Sequence, residues 1–274
     1  MAQIDKVFAG SIPRLYDTLL VPLIFEVYAA HTAALVAAGS PAAVLETAAG
    51  TGAVTRALAP RLGAAARYVV SDLNPPMLDY AAARQGPDRR IEWRQADALA
   101  LPFADASFDV VCCQFGAMFF PDRTAGYAEA RRVLRPGGRF VLSVWGCIEE
   151  NVFADEVTNA VAAIFPADPP RFLARTPHGY HDTALIRADL RRAGFTDIEL
   201  ETRDEISRAP TAREVAVAYC EGTPLRNEIE ARDAGLLPLA TERATQAIAS
   251  RHGPGPGPGP VAGKIQAHVI VAAG

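Results

Sequence analysis

LETAAGTGAVTRAL, residues 45 to 58, decides the fold. An apolar run, AAVLET (42 to 47), reads as a short strand ending near Glu46. Glycines at 50 and 52 follow, and an amphipathic helix starts at once. A glycine turn between strand and helix brings free backbone N–H groups close to a ligand. A plain tight turn would look the same, so a second signal is needed. Twenty residues beyond Gly52, Asp72 closes the next apolar run, RYVVSD, where a carboxylate can accept both hydroxyls of a ribose. Together they point to a nucleoside-type ligand. A phosphate-binding P-loop is excluded, because no Gly-Lys-Ser/Thr follows the turn. A nicotinamide-dependent oxidoreductase is the rival. Its third glycine would fall at Thr55, and none of the seven tyrosines is followed four residues later by lysine.

Outward from this turn, apolar bursts alternate with amphipathic stretches, the pattern of βαβ units feeding a doubly wound parallel sheet. Further strands are expected at 91 to 95, 108 to 115 and 139 to 145. Helices are expected at 13 to 38, 53 to 63, 76 to 85 and 122 to 134, the last stopped by Arg135, Pro136, Gly137 and Gly138. Later come helices at 151 to 164 and 182 to 193, a strand at 197 to 203, a helical stretch from 211 to 251 and a last strand at 265 to 272. GPGPGPGP (253 to 260) opposes both helix and interior strand and reads as a surface linker. The expected domains are an N-terminal helical cap (1 to 41), a core (42 to 204), a helical insert with the linker (205 to 262) and a returning strand (263 to 274).

The 274 residues are half hydrophobic and 21% charged, which suits a chain that buries a core. A net charge of −4 without a basic block argues against a nucleic-acid partner. Cys112, Cys113, Cys147 and Cys220 show no C-x-x-C spacing and read as reduced thiols. MAQIDKVFAGS lacks a basic region leading into an apolar stretch. The apolar run from Leu19 is broken by Pro22, Glu26, His31, Gly39 and Pro41, so no membrane span is expected and the prediction is a cytoplasmic protein.

Four ordered blocks then resemble a known family, the class I S-adenosylmethionine-dependent methyltransferases, in the type 11 branch that includes the quinone-biosynthesis enzymes. Glu46 to Gly52 resembles motif I, and SDLNPPML (71 to 78), with Met77, resembles the ribose segment. QADALALPFADASFDVV (95 to 111) and RRVLRPGGRFVLSVW (131 to 145) resemble the family's later blocks. The departure is Ala48, which stands where the first motif I glycine is usual. The resemblance implies a Rossmann-like, seven-stranded sheet, mostly parallel with an antiparallel last strand, plus a helical cap. It also implies S-adenosylmethionine as cofactor and S-adenosylhomocysteine as product. Glu46 would hold the ligand's ammonium, and Ala48, Gly50 and Gly52 would lie along its methionine and ribose. Asp72 would bind the ribose hydroxyls and Leu73 would pack on adenine. Asp97 and the Ala98 N–H would read the adenine edge, although Asp97 also suits a loop carboxylate capping local N–H groups. Gln114 and Phe115 would offer a carbonyl to the amino group and a ring to the sulfonium.

The partner is expected to be a small-molecule methyl acceptor, aromatic or apolar, framed by the opening helices, the 145 to 180 region and the late excursion. Met118, Phe119, Phe120, Tyr16, Phe25, Trp145 and Tyr219 are candidate lining residues, with core packing as the alternative for the Met-Phe-Phe run. Tyr16, Tyr180 and His181 are candidate bases. HGYH (178 to 181) lacks a third ligand pattern, so no metal is expected, and His181 with Asp182 suits a helix start. No base is assigned, which keeps a non-catalytic cofactor-binding relative as a further alternative. The sequence is compatible with a homodimer.

Overall fold

The computed structural model describes residue 10 and residues 12–253 and 259–274. The opening MAQIDKVFA and most of the glycine–proline run expected as a linker lie outside the described residues. Two compact units emerge. A sheet unit comprises Glu26–Val144, His181–Arg203 and Ala267–Gly274; a helical unit comprises the chain up to Phe25, Trp145–Tyr180 and Asp204–Gln266.

Seven strands form one sheet: β1 (Ala43–Glu46), β2 (Arg67–Asp72), β3 (Ile91–Gln95), β4 (Phe108–Gln114), β5 (Leu134–Trp145), β6 (Asp197–Ala209) and β7 (Val261–Ala273), in the order β3-β2-β1-β4-β5-β7-β6. The first five pair in parallel. β7 is antiparallel to β6: Thr196 N–H donates to the Ala273 carbonyl, Thr202 meets His268, and Gln266 donates to Asp204, so one strand's numbers rise as the other's fall. β1 is buried along its whole length and β2 along all but its first residue, as strands covered on both faces must be. Because the order reverses at β1, with β2 on one side and β4 on the other, the carboxyl ends of these strands form a topological switch point. Ligands of doubly wound sheets bind there.

Four elements differ from their sequence-based expectation. The Arg-Pro-Gly-Gly segment stops the helix Arg123–Val133 but is itself strand. Leu134 pairs with Phe108, and a register shift before Val110 and Arg139 absorbs the extra residues. β6 runs on to Ala209 and β7 begins at Val261, because antiparallel pairing lets each extend the other. The opening helix is not uniform. Tyr16–Phe25 takes wide π-type turns around Pro22, whose ring cannot donate into an α-helical ladder, between α-helical Ile12–Leu15 and Glu26–Ala37. Ile12–Ala37 is long and apolar enough to cross a bilayer by length and composition. However, 56% of its apolar window is buried in the protein itself, the pattern of a core helix.

The helix Arg123–Val133 is capped by Asp122, whose carboxylate accepts the Ala125 N–H at 2.9 Å. It seats on Phe120, and a Cβ at Gly126 would lie 2.6 Å from that ring. Gly126→Val should therefore lower stability by about 1–3 kcal/mol through overpacking, read as a fall in Tm and denaturation midpoint; an unchanged midpoint would refute this packing.

Candidate functional site

The site is built on the turn from β1 into the helix Ala53–Leu58. Ala48, Gly50 and Gly52 all take positive φ, at 52°, 57° and 83°. The turn is held from outside by β2: Ala49 N–H donates to the Ser71 carbonyl at 3.0 Å, and Gly50 N–H donates to Asp72 Oδ2 at 2.8 Å. The other oxygen of Asp72 accepts the Asn74 N–H at 2.7 Å. One buried carboxylate thus ties the glycine turn to the head of the helix Pro75–Gln85. Burial raises its pKa above the ordinary carboxylate range, opposed by the Asn74 and Gly50 N–H groups.

Beneath the turn, Glu46 is only 2% exposed and accepts from Thr55 Oγ1 at 2.8 Å and from the Tyr68 hydroxyl through the same oxygen. Burial pushes its carboxyl up to about 7, against those two hydrogen bonds and Arg56. Sequence reasoning placed Glu46 on the ligand's ammonium. The structure commits one of its oxygens to the core, a contact that needed Tyr68, which no motif marks.

Ala48 is a residue with a side chain in the left-handed region, where glycine is at ease. Its neighbour explains how it fits. A Cβ on Gly116 would run into the Ala48 methyl, so the glycine missing from the first turn is supplied by the second. Phe115, just before it, also has positive φ, 52°. Its ring meets Tyr28 edge-on at 5.5 Å, and Gln114 accepts from Thr32 Oγ1 at 3.0 Å, so the helix Glu26–Ala37 fixes both residues at the end of β4. Strained backbone concentrated at two neighbouring strand ends is a mark of a functional site.

The remaining expected residues fall around this frame. Leu73, at the end of β2, is 42% exposed, as an apolar platform awaiting a planar ligand would be. Met77 is buried, its Cε in van der Waals reach of a Cβ placed on Gly50. Asp97 is exposed and accepts the Leu99 N–H at 2.9 Å, the local capping contact, with Ala98 beside it half-buried. Thr51 Oγ1, buried inside the turn, has no hydrogen-bond partner among the described residues. An orphaned buried hydroxyl, an exposed leucine and a strained turn of small residues fit a nucleoside cofactor better than they fit a closed packing motif.

The comparisons agree with this geometry. Residues 45–142 match the family model described as "Methyltransferase domain". The demethylmenaquinone methyltransferase of Deinococcus radiodurans is 43% identical over 143 residues, covering 51% of this chain and 58% of that one. The demethylmenaquinone methyltransferase of Mycolicibacterium vanbaalenii is 34% identical over 164 residues, covering 57% of this chain and 68% of that one. The chain belongs to the class I S-adenosylmethionine-dependent methyltransferase family. Its fold is similar to that of BH2331 from Bacillus halodurans, with TM-score 0.57 and 22% identity over 89% of this chain and 97% of that one.

In this methyltransferase-family chain the candidate bases separate. His181 is exposed beside His268, and Asp182 caps the helix Thr183–Arg192, the role expected for this helix start. Tyr180 is buried in the helical unit. There Tyr16 stacks on Phe25 at 5.0 Å, and Phe25 lies 5.6 Å from Trp145. Tyr219 is buried too, which pushes its phenol well above its ordinary range. Of the Met-Phe-Phe run, Phe120 serves helix packing and Met118 is buried. Among the described residues no cluster of His, Cys, Asp and Glu has the form of a metal site.

Two outcomes are expected. Glu46 keeps its proton to a higher pH folded than unfolded, so the folded chain binds more protons between the ordinary 4.5 and about 7. Its contribution to stability is therefore full below that window and lost as pH rises through it. Glu46→Gln should flatten this fall in a pH series of denaturant midpoints; an unchanged slope would exclude Glu46 as its source. Gly116→Ala should cost about 1–3 kcal/mol by overpacking, and adding Ala48→Gly should restore part of that loss; strictly additive losses would show that the two residues do not share space.

Proposed function

We propose that the protein is a cytoplasmic methyltransferase that binds S-adenosylmethionine at the carboxyl ends of β1 and β2, beside the switch point, and methylates a small aromatic or apolar acceptor of hydroquinone type. The observation that carries this is Asp72, whose carboxylate stands at the end of β2, bonded to the N–H of the glycine turn and flanked by exposed Leu73. The names of the two demethylmenaquinone methyltransferases support a hydroquinone-like acceptor. The four cysteines are free thiols, as a reducing compartment allows.

When bound, the cofactor supplies an electrophilic methyl group on a cationic sulfonium, and the protein's task is alignment and exclusion of water. Asp72 would accept the ribose hydroxyls through lone pairs not used by Gly50 and Asn74. Leu73 would cover one face of the adenine, with Asp97 and the Ala98 N–H on its edge. The positive-φ residues Ala48, Gly50 and Gly52 keep side chains out of the ligand's volume, and Met77 supports the turn from below. Glu46 adds negative potential beneath a cationic ligand, which favours its ionised form. Phe115 and the Gln114 carbonyl would meet the sulfonium and amino end.

Titration calorimetry should show binding of S-adenosylmethionine and S-adenosylhomocysteine in about the micromolar range. Asp72→Ala should weaken it roughly tenfold or more, about 1.4 kcal/mol, by removing a charge-assisted contact. Absence of heat and of thermal shift with either compound would overturn the assignment.

A further inference from the structure

At the end of β1, the two oxygens of the buried Glu46 carboxyl are in unlike positions. Two hydroxyls donate to the same one, Oε2: Thr55 Oγ1 at 2.8 Å and the Tyr68 hydroxyl. Oε1 has no hydrogen-bond partner among the described residues. An oxygen that already receives two O–H donors is the poorer place for a proton, so Oε1 is the atom that carries it. One oxygen is held by the core, and the other is left to titrate beneath the glycine turn.

The titratable groups that face Glu46 are Tyr68 and Asp72 from β2, Arg56 from the helix Ala53–Leu58 and Cys112 from β4. Burial pushes the Tyr68 phenol and the Cys112 thiol well above their ordinary ranges, so both are neutral at pH 7. That leaves two charges. Arg56 favours the ionised form of Glu46, and Asp72 opposes it. Arg56 Nη1 donates to the Thr51 carbonyl at 2.5 Å, which holds that cation at the turn. With one cation set against a second carboxylate and burial added, the Glu46 carboxyl rises to about 7, where a further charge in the turn decides its state. S-adenosylmethionine and its product differ by such a charge: the donor's sulfur is a cation and the thioether sulfur is neutral. In a buried site that difference acts with little screening by solvent.

We propose that Glu46 distinguishes the methyl donor from its spent product by charge: the carboxyl holds a proton on Oε1 when the site is empty or product-bound and releases it when a cationic sulfur occupies the turn. The inference rests on the methyl-transfer reading. On donor binding the Oε1–H bond breaks, its electron pair stays on the carboxylate, and the proton passes to solvent. After transfer the sulfur is neutral, Glu46 and Asp72 again repel without a cation between them, and Glu46 takes a proton back from solvent. The carboxylate's attraction for the ligand is then gone, which favours exchange of product for fresh donor. Because only the ionised carboxylate selects the cation, donor affinity rises with pH as Glu46 loses its proton, while product affinity stays level.

Titration calorimetry of the whole protein, in buffers of different ionisation enthalpy, tests this with two probes: S-adenosylhomocysteine, and sinefungin, in which an ammonium replaces the sulfonium. At pH 7 sinefungin should release about half a proton per site more than S-adenosylhomocysteine, the share of Glu46 that is protonated when its pKa is about 7. From pH 6 to pH 8 its affinity should rise about tenfold, against less than about twofold for S-adenosylhomocysteine. Glu46→Gln should abolish the extra proton, whereas any proton from the ligand's own amines would persist. Equal release by the two ligands, or an extra release that survives in Glu46→Gln, overturns the proposal. If Glu46→Gln does not fold, Tyr68→Phe decides. Loss of a donor to Oε2 should move the midpoint of the affinity rise to higher pH, and an unmoved midpoint overturns the role of Glu46. Failure of the unaltered protein to bind either compound overturns the methyl-transfer reading itself.

Discussion

The hydrogen bond from Gly50 N–H to Asp72 is the constraint around which the sheet unit's site is organised. It joins the turn after β1 to the end of β2 through a carboxylate that burial would otherwise make costly to ionise. Backbone N–H groups from Gly50, Leu73 and Asn74 offset that cost, so the negative charge is held by dipoles rather than by a cation. Glu46 lies close enough for the two carboxyls to repel. The conflict is resolved by environment. Glu46 sits deeper, its pKa rises to about 7, and it shares its proton economy with Tyr68 and Thr55. Two acidic residues within one strand–turn–helix–strand unit therefore sit in different environments, one held by backbone N–H groups at the strand end and the other by two side-chain hydroxyls beneath the turn.

The same unit shows how a departure from a motif is accommodated. Ala48 would crowd the turn if its surroundings were unchanged, yet Gly116 keeps clear a position where a Cβ would lie 2.4 Å from its methyl. The substitution and its compensation lie 68 residues apart in the chain and just past the ends of neighbouring strands, β1 and β4. Reading motif I alone registers a loss; reading both strand ends registers a transfer of space from one turn to the other.

Local pattern made much of this legible. The short Val- and Leu-rich runs, the glycines and the acidic strand end located β1, β2 and the glycine turn between them, and the alternation gave the doubly wound class. What stayed hidden depends on contacts between distant segments. Nothing near Pro136 in sequence announces that Leu134 pairs with Phe108, so a strand start was read as a turn. β6 and β7 lengthen because each satisfies the other's backbone, a property of the pair and not of either sequence. Tyr68 sits in an apolar strand and carries no motif, and its bond to Glu46 appears only once β1 and β2 lie side by side. His178 was visible as part of HGYH, but its contact with the Gly146 carbonyl, 32 residues away in the chain, was not.

The family match covers residues 45–142, which fall wholly inside the sheet unit. That coincidence has a physical basis. A cofactor is the same molecule in every member of a family, so the turn, the acidic strand end and the platform residue must keep one geometry. Acceptors differ, and the surfaces that select them are free to differ with them. Here the helical unit, assembled from three separated stretches of chain, lies outside the matched segment and holds Trp145 with Phe25 and Tyr16. The family model accordingly carries the cofactor-binding half of the argument, while the identity of the acceptor must be argued from side chains outside residues 45–142.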